Sequence, residues 1–167
     1  RIPNLNLKVV DDSINDGMTF EDFANMVTDE FYFEGADNSE IHKTSKNNNF
    51  AFKYINQEIY EKIFIASGDA GSGQTIFRVN NLNELIYFHM DDTVKQVVIP
   101  EKIGPYNITV IGSDSFQGNH NINKIEIPAS ITKIETDAFK GCHRLKDVIF
   151  AKDSQLETIE PHAFDTQ

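Results

Sequence analysis

The sequence predicts an α+β chain in which a small N-terminal α+β unit precedes a short β-solenoid. Two observations carry most of that prediction. Between about residues 93 and 164 one phrase of Ile, Val, Leu, Phe and Gly occurs three times, and its aromatic member recurs at Phe116, Phe139 and Phe164, in steps of 23 and 25 residues. A fixed period of this size marks a small unit that stacks on its own copy, because one unit alone cannot bury its apolar edge. Upstream of the repeats the period changes to a helical spacing and then to strand-like alternation, as in a separate α+β unit. The expected organisation is a loosely ordered lead over residues 1–17, an α+β unit with capping strands over 18–90, and three repeats over 93–167.

Taken in chain order, the lead contains Asp11, Asp12, Asn15, Asp16 and Gly17, a polar and turn-rich composition. Thr19 then stands before Glu21 and Asp22, with Phe20, Phe23, Met26, Val27 and Phe31 at helical spacing. Residues 19–31 are therefore expected to form an amphipathic helix capped by Thr19. Residues 34–49 are rich in Asn, Ser and Lys and read as a loop. Strand-like runs follow at 50–54, 59–66, 75–79 and 85–90. The last two lie immediately before the repeats, where a solenoid needs a cap for its first coil.

Within the repeats, Ile125-Glu126-Ile127 alternates apolar with polar, the period of a strand with one buried face. Stacked copies pair such strands into a parallel sheet, with Val97, Ile125 and Val148 inward and Gln96, Val98, Lys124, Glu126, Asp147 and Ile149 outward. Pro100 and Pro128 end the strands, since proline cannot donate to the ladder. Ile131 and Ile134 mark a second short alternation, the return side of the coil. Asp137-Ala138-Phe139 is expected to make a single helical turn whose Phe plugs the coil, and each such burial is worth roughly 1.5–3 kcal/mol. The surplus residues of the first copy, Gly104-Pro105-Tyr106-Asn107, have turn chemistry and leave the apolar positions in phase.

The order Leu/Ile-x-x-Val/Ile-x-Ile-Pro, then Ile-x-x-Ile, then Ala-Phe-x-Gly-Cys resembles the BspA-type leucine-rich repeat. Residues 122–142 match it nearly throughout, and the likeness extends over about 93–164. Ser115 stands for the usual Ala, Asn119 for the Cys, and Phe150-Ala151 for Ile-Pro. The first copy, with Tyr106 and Ile108-Thr109-Val110-Ile111-Gly112, is similar to the widened entry repeat of such arrays. The resemblance implies a bacterial or protist protein, secreted or at the cell surface, that binds host proteins or neighbouring cells. It implies no catalytic residues.

Charge narrows the range of partners. A formal net charge of −11 and a pI near 4.8 argue against nucleic acid, which needs a basic surface, and against docking on anionic lipid. No apolar run reaches the roughly eighteen residues of a membrane span, so no membrane insertion is expected in this segment. The single cysteine, Cys142, cannot form an internal disulfide and falls where the repeat wants a small buried residue. The chain opens on Arg1 rather than Met, which suggests a processed or trimmed piece.

Three near-motifs fall short of chemistry. Gly68 and Gly73 have the spacing of a phosphate-binding loop, but Gln74 replaces its lysine and a strand-like run follows, so a flexible hairpin is expected. Residues 12–23 faintly resemble a calcium loop, yet Ile14 and Phe23 occupy two ligand positions, which leaves a capped helix after an acidic turn. His120 and His143 occupy equivalent places one repeat apart, without the third ligand that a metal site usually requires, and read as surface turn residues. No nucleophile elbow or paired catalytic signature is present.

The expected function is therefore a non-catalytic binding or adhesion protein without cofactor or metal, secreted or at the cell surface, taking a protein or glycan ligand outside the cell. Its candidate ligand-binding face is the outward ladder of Gln96, Val98, Lys124, Glu126, Asp147 and Ile149. Two alternatives stay open: a structural stalk whose N-terminal unit does the recognising, and an accessory domain of a larger secreted enzyme. Three residues follow Phe164, so the chain is expected either to stop short of its natural end or to self-associate through an uncapped C-terminal coil.

Overall fold

The computed structural model of the chain describes residues 32–67, 74–90 and 94–167. The lead, the helix expected over 19–31, the calcium-like loop and the glycine loop at 68–73 lie outside these residues. The chain divides into two compact units between Ala66 and Ser67.

The first unit contains β1 (Phe33–Gly35), α1 (Glu40–Asn47), β2 (Phe52–Tyr54) and β3 (Tyr60–Ser67). β2 pairs in parallel with β1, Phe33 opposite Phe52, and antiparallel with β3, Phe52 opposite Glu61. The helix α1 corrects the loop expected over 34–49. Ser39 caps its N-terminus, the Oγ accepting from the His42 N–H at 3.2 Å, and the Asn48 N–H closes the other end on the Thr44 carbonyl at 3.1 Å. Only His42 and Ser45 of this helix are buried. Its inner side is thus polar, and no apolar stripe announces it in the sequence. His42 holds it in place instead. The imidazole stacks on Phe52 with ring centroids 4.2 Å apart, and its Nε2 lies 3.0 Å from the buried Glu61 Oε2, which also accepts from the Tyr54 hydroxyl.

The second unit opens with an antiparallel hairpin of β4 (Gln74–Asn80) and β5 (Glu84–Met90). The Asn80 side-chain oxygen shapes its turn by accepting from the Leu82 and Glu84 N–H groups at 3.0 and 3.1 Å. The coil follows in three laps. The first has β6 (Gln96–Val98), a small hairpin of β7 (Lys102–Ile103) and β8 (Tyr106–Asn107), and then β9 (Val110–Ile111). Gly104, with φ 57°, lies in the hairpin turn, where the backbone is left-handed. The second lap has β10 (Lys124–Ile127) and β11 (Lys133–Ile134), the third β12 (Asp147–Phe150) and β13 (Thr158–Ile159).

Like strands of successive laps pair in parallel. β10 lies between β6 and β12, with Ile125 opposite Val97 and Val148, while β11 lies between β9 and β13, with Ile134 opposite Ile111 and Ile159. β5 extends the second of these ladders, pairing Leu85 with Ile111.

Each lap then turns through a left-handed residue: Asp114 at φ 60°, Asp137 at 61° and His162 at 68°. That conformation cannot continue a right-handed helix, so tight turns replace the single helical turn expected at Asp137. The Ala138 N–H donates to the Glu135 carbonyl at 3.2 Å and the Lys140 N–H to the Asp137 carbonyl at 3.1 Å. The turns aim one Phe per lap into the coil. Rings of Phe116 and Phe139 stack 4.8 Å apart and those of Phe139 and Phe164 4.9 Å apart, and Phe88 of β5 adds a fourth ring 4.6 Å from Phe116. Around this column Ile111, Ile125, Ile131 and Ile134 are fully buried. The short β-solenoid read from the sequence is the fold of this unit.

Candidate functional site

The pleat of the β6-β10-β12 sheet sends alternate side chains to opposite sides. Val97 and Ile125 point into the core at 3% and 0% exposure. Register then fixes two outward rows. Gln96, Lys124 and Asp147 form one, and Val98, Glu126 and Ile149 the other. All six residues proposed from the sequence therefore lie together on one face.

The second row carries the most exposed large apolar side chain among the described residues. Val98 is 69% exposed and Ile149 43% exposed, with Glu126 between them. The Lys124 Nζ lies 3.6 Å from Glu126 Oε1, a pair open to solvent and so worth at most about 1 kcal/mol. The row lines a shallow groove of about 520 Å³, whose wall also includes Pro100, Pro128, Ala151, Glu101 and Lys152. That volume lies in the range of ligand clefts. Sequence reading of the strand alone missed this wall. The signal for it was the Pro that follows the strand in two of the three laps.

Elsewhere the titratable groups are arranged for structure. His120 and His143 stack with centroids 5.4 Å apart and planes 6° from parallel. Each Nδ1 faces a carbonyl of the following lap, Gly141 at 3.1 Å and Thr166 at 2.9 Å, so each Nδ1 carries the hydrogen and donates. Among the described residues no group of three or more His, Cys, Asp or Glu side chains could hold a metal ion. Cys142 is fully buried, its Sγ donates to the Phe116 carbonyl at 3.3 Å, and burial pushes the thiol up to about 11. Such a thiol is a poor nucleophile near neutral pH. No helix among the described residues is long and apolar enough to cross a membrane.

The repeat geometry has a counterpart among known sequences. The family model described as BspA type leucine rich repeat region (6 copies) matches residues 86–167. These residues belong to the BspA-type leucine-rich repeats. The matched stretch begins within β5, so the BspA-type region includes Phe88, the ring that opens the column. Two solved structures are similar to the chain. The pneumococcal vaccine antigen PcpA is 31% identical over 67% of this chain, with a TM-score of 0.41, and a leucine-rich repeat protein from Bacteroides ovatus is 18% identical over 58% of it, with a TM-score of 0.34. The chain spans 30% of the first protein and 27% of the second. No curated protein matches it.

Proposed function

We propose that this chain is a non-catalytic binding module, secreted or at the cell surface, that captures a protein or glycan ligand on the outward face of its BspA-type sheet. The observation that carries this reading is the exposure of Val98, 69%, in one row with Ile149 beside an open groove. Apolar side chains that no described residue covers are costly in water unless a partner removes them, at about 25 cal/mol per Å² buried. Of the six candidate residues, Gln96, Val98, Lys124, Glu126, Asp147 and Ile149, the apolar Val98 and Ile149 flank the charged central strand, so the face offers both apolar and polar contacts to a ligand.

Membership of a family whose members are often surface adhesion proteins supports the same location and role. The test is a glycan array and a panel of immobilised extracellular-matrix proteins, probed with the chain and with the double variant Val98→Ser, Ile149→Ser. Both substitutions replace exposed side chains and should leave the circular dichroism spectrum unchanged. Capture by the parent that falls about tenfold or more in the variant supports the face. Equal capture by both removes it.

A further inference from the structure

The two strand ladders of the coil begin differently. The β9-β11-β13 ladder is preceded by β5, and the Gly112 N–H donates to the Leu85 carbonyl at 2.8 Å across that junction. The other ladder begins bare: among the described residues β6 pairs with β10 alone. Its hydrogen bonds show which way the backbone of β6 faces. The Lys95 carbonyl accepts from the Asn123 N–H at 2.7 Å, and the Ile99 N–H donates to the Glu126 carbonyl at 3.0 Å. Backbone groups alternate along a strand, so Lys95, Val97 and Ile99 address β10 while Gln96 and Val98 direct their N–H and C=O groups to the opposite edge. Val98 of this strand is also 69% exposed on the outward face, so its side chain is open beside that edge.

We propose that β6 is a docking edge for an extended peptide segment of a partner protein, neutral to basic in composition, which adds as a further strand beside Gln96 and Val98. A donor and an acceptor repeated every second residue are matched by another strand; a helix has its backbone groups already engaged and a glycan lacks that spacing. The added strand would bring its own side chains beside Val98, which supplies an apolar contact that a strand edge alone lacks. Charge selects among strands. A net charge of −11 repels a second copy of this chain and other acidic segments, attracts basic ones and leaves neutral ones unopposed. The edge shares Val98 with the groove proposed above but is read from backbone direction, and it does not involve Ile149 on the far strand.

The experiment is selection of a random linear-peptide display library on the immobilised chain, with counter-selection on Gln96→Pro. Proline at position 96 removes an outward N–H while leaving the bonds to β10 and both Val98 and Ile149 in place. Enriched peptides should be neutral to basic. Made synthetically, they should bind the parent about tenfold or more tightly than Gln96→Pro and should bind Ile149→Ser as tightly as the parent. The same peptides carrying N-methyl groups on alternate residues should lose binding to the unmodified chain, a readout that does not depend on the folding of any variant. The proposal is overturned if no peptide enriches over counter-selection, or if N-methylated peptides bind as well as unmodified ones. It is equally overturned if the parent proves to be a dimer that Gln96→Pro converts to monomer, since the edge would then belong to a second copy.

Discussion

The Asn119 side-chain amide donates to the Phe88 carbonyl at 2.9 Å, joining the first lap of the coil to the strand that covers it. One lap later the Cys142 thiol donates to the Phe116 carbonyl at 3.3 Å from the equivalent position. The Asn that departs from the repeat pattern therefore does the work of the Cys with a stronger donor. It also donates to the Phe116 carbonyl of its own turn at 3.0 Å.

Asn119→Leu removes that donor and leaves the Phe88 carbonyl without it at a buried site, a loss of about 1–3 kcal/mol. Asn119→Cys restores the arrangement of the second lap and should cost about 1 kcal/mol or less. Urea denaturation of the two variants measures the difference, and equal losses would mean that side-chain volume, not the donor, matters here.

Gly112 marks the closest approach of β5 to the coil. A Cβ added there would stand 2.7 Å from the Leu85 carbonyl oxygen. The later laps carry Glu135 and Glu160 at this place, because their neighbour is another lap. Gly112→Ala should push β5 away at a cost of about 1–3 kcal/mol, the usual penalty of overpacking. Hydrogen exchange would show the effect locally, with amide protection lost in β5 before the laps around Phe139.

The repeats were legible because their period is fixed by stacking: Phe116, Phe139 and Phe164 had to align for any one of them to be buried. Phe88 was not legible in the same way. It sits in Ile86-Tyr87-Phe88-His89-Met90, a strand that joins the ladder by its backbone and lacks the Ile-Pro and Ala-Phe-x-Gly marks of the second copy. The helix α1 escaped for a different reason, since its buried side chains are His42 and Ser45 and hydrophobic periodicity cannot register a polar core contact. Val98, Glu126 and Ile149 were readable as outward because a strand alternates, whereas the wall made by Pro100 and Pro128 depends on where the chain goes after each strand ends.

The tautomer of His42 follows from its neighbours. The Asn38 N–H donates to Nδ1 at 3.0 Å, so Nδ1 bears the lone pair and Nε2 carries the hydrogen that it donates to Glu61. The Asp37 carboxylate, 3.3 Å from the same Nδ1, is 64% exposed and open to solvent. Nitrogen-15 chemical shifts near pH 8 should report the Nε2–H tautomer, and an Nδ1–H signal would contradict the contact. His42→Ala strands Glu61 with fewer partners and should cost about 3 kcal/mol.

Stability at high pH depends on Cys142. Burial raises its thiol from 9.0 to about 11, so the fold favours the protonated form. The contribution is whole below pH 9, declines as pH rises, and is lost through about 11. Denaturation midpoints of the parent should fall more steeply over that interval than those of Cys142→Ala. A reagent for free thiols should label Cys142 only as fast as the second unit opens, and prompt labelling of the folded chain would count against the burial.

The central claim is that successive laps stack in register around one column of rings. Nuclear Overhauser contacts between phenylalanine rings, recorded on a chain protonated only at Phe, test it most directly. The structure predicts ring contacts for Phe88 with Phe116, Phe116 with Phe139 and Phe139 with Phe164, and none for Phe88 with Phe139. Contacts that are missing from this series, or that join its members out of order, would contradict the coil and the binding face built on it.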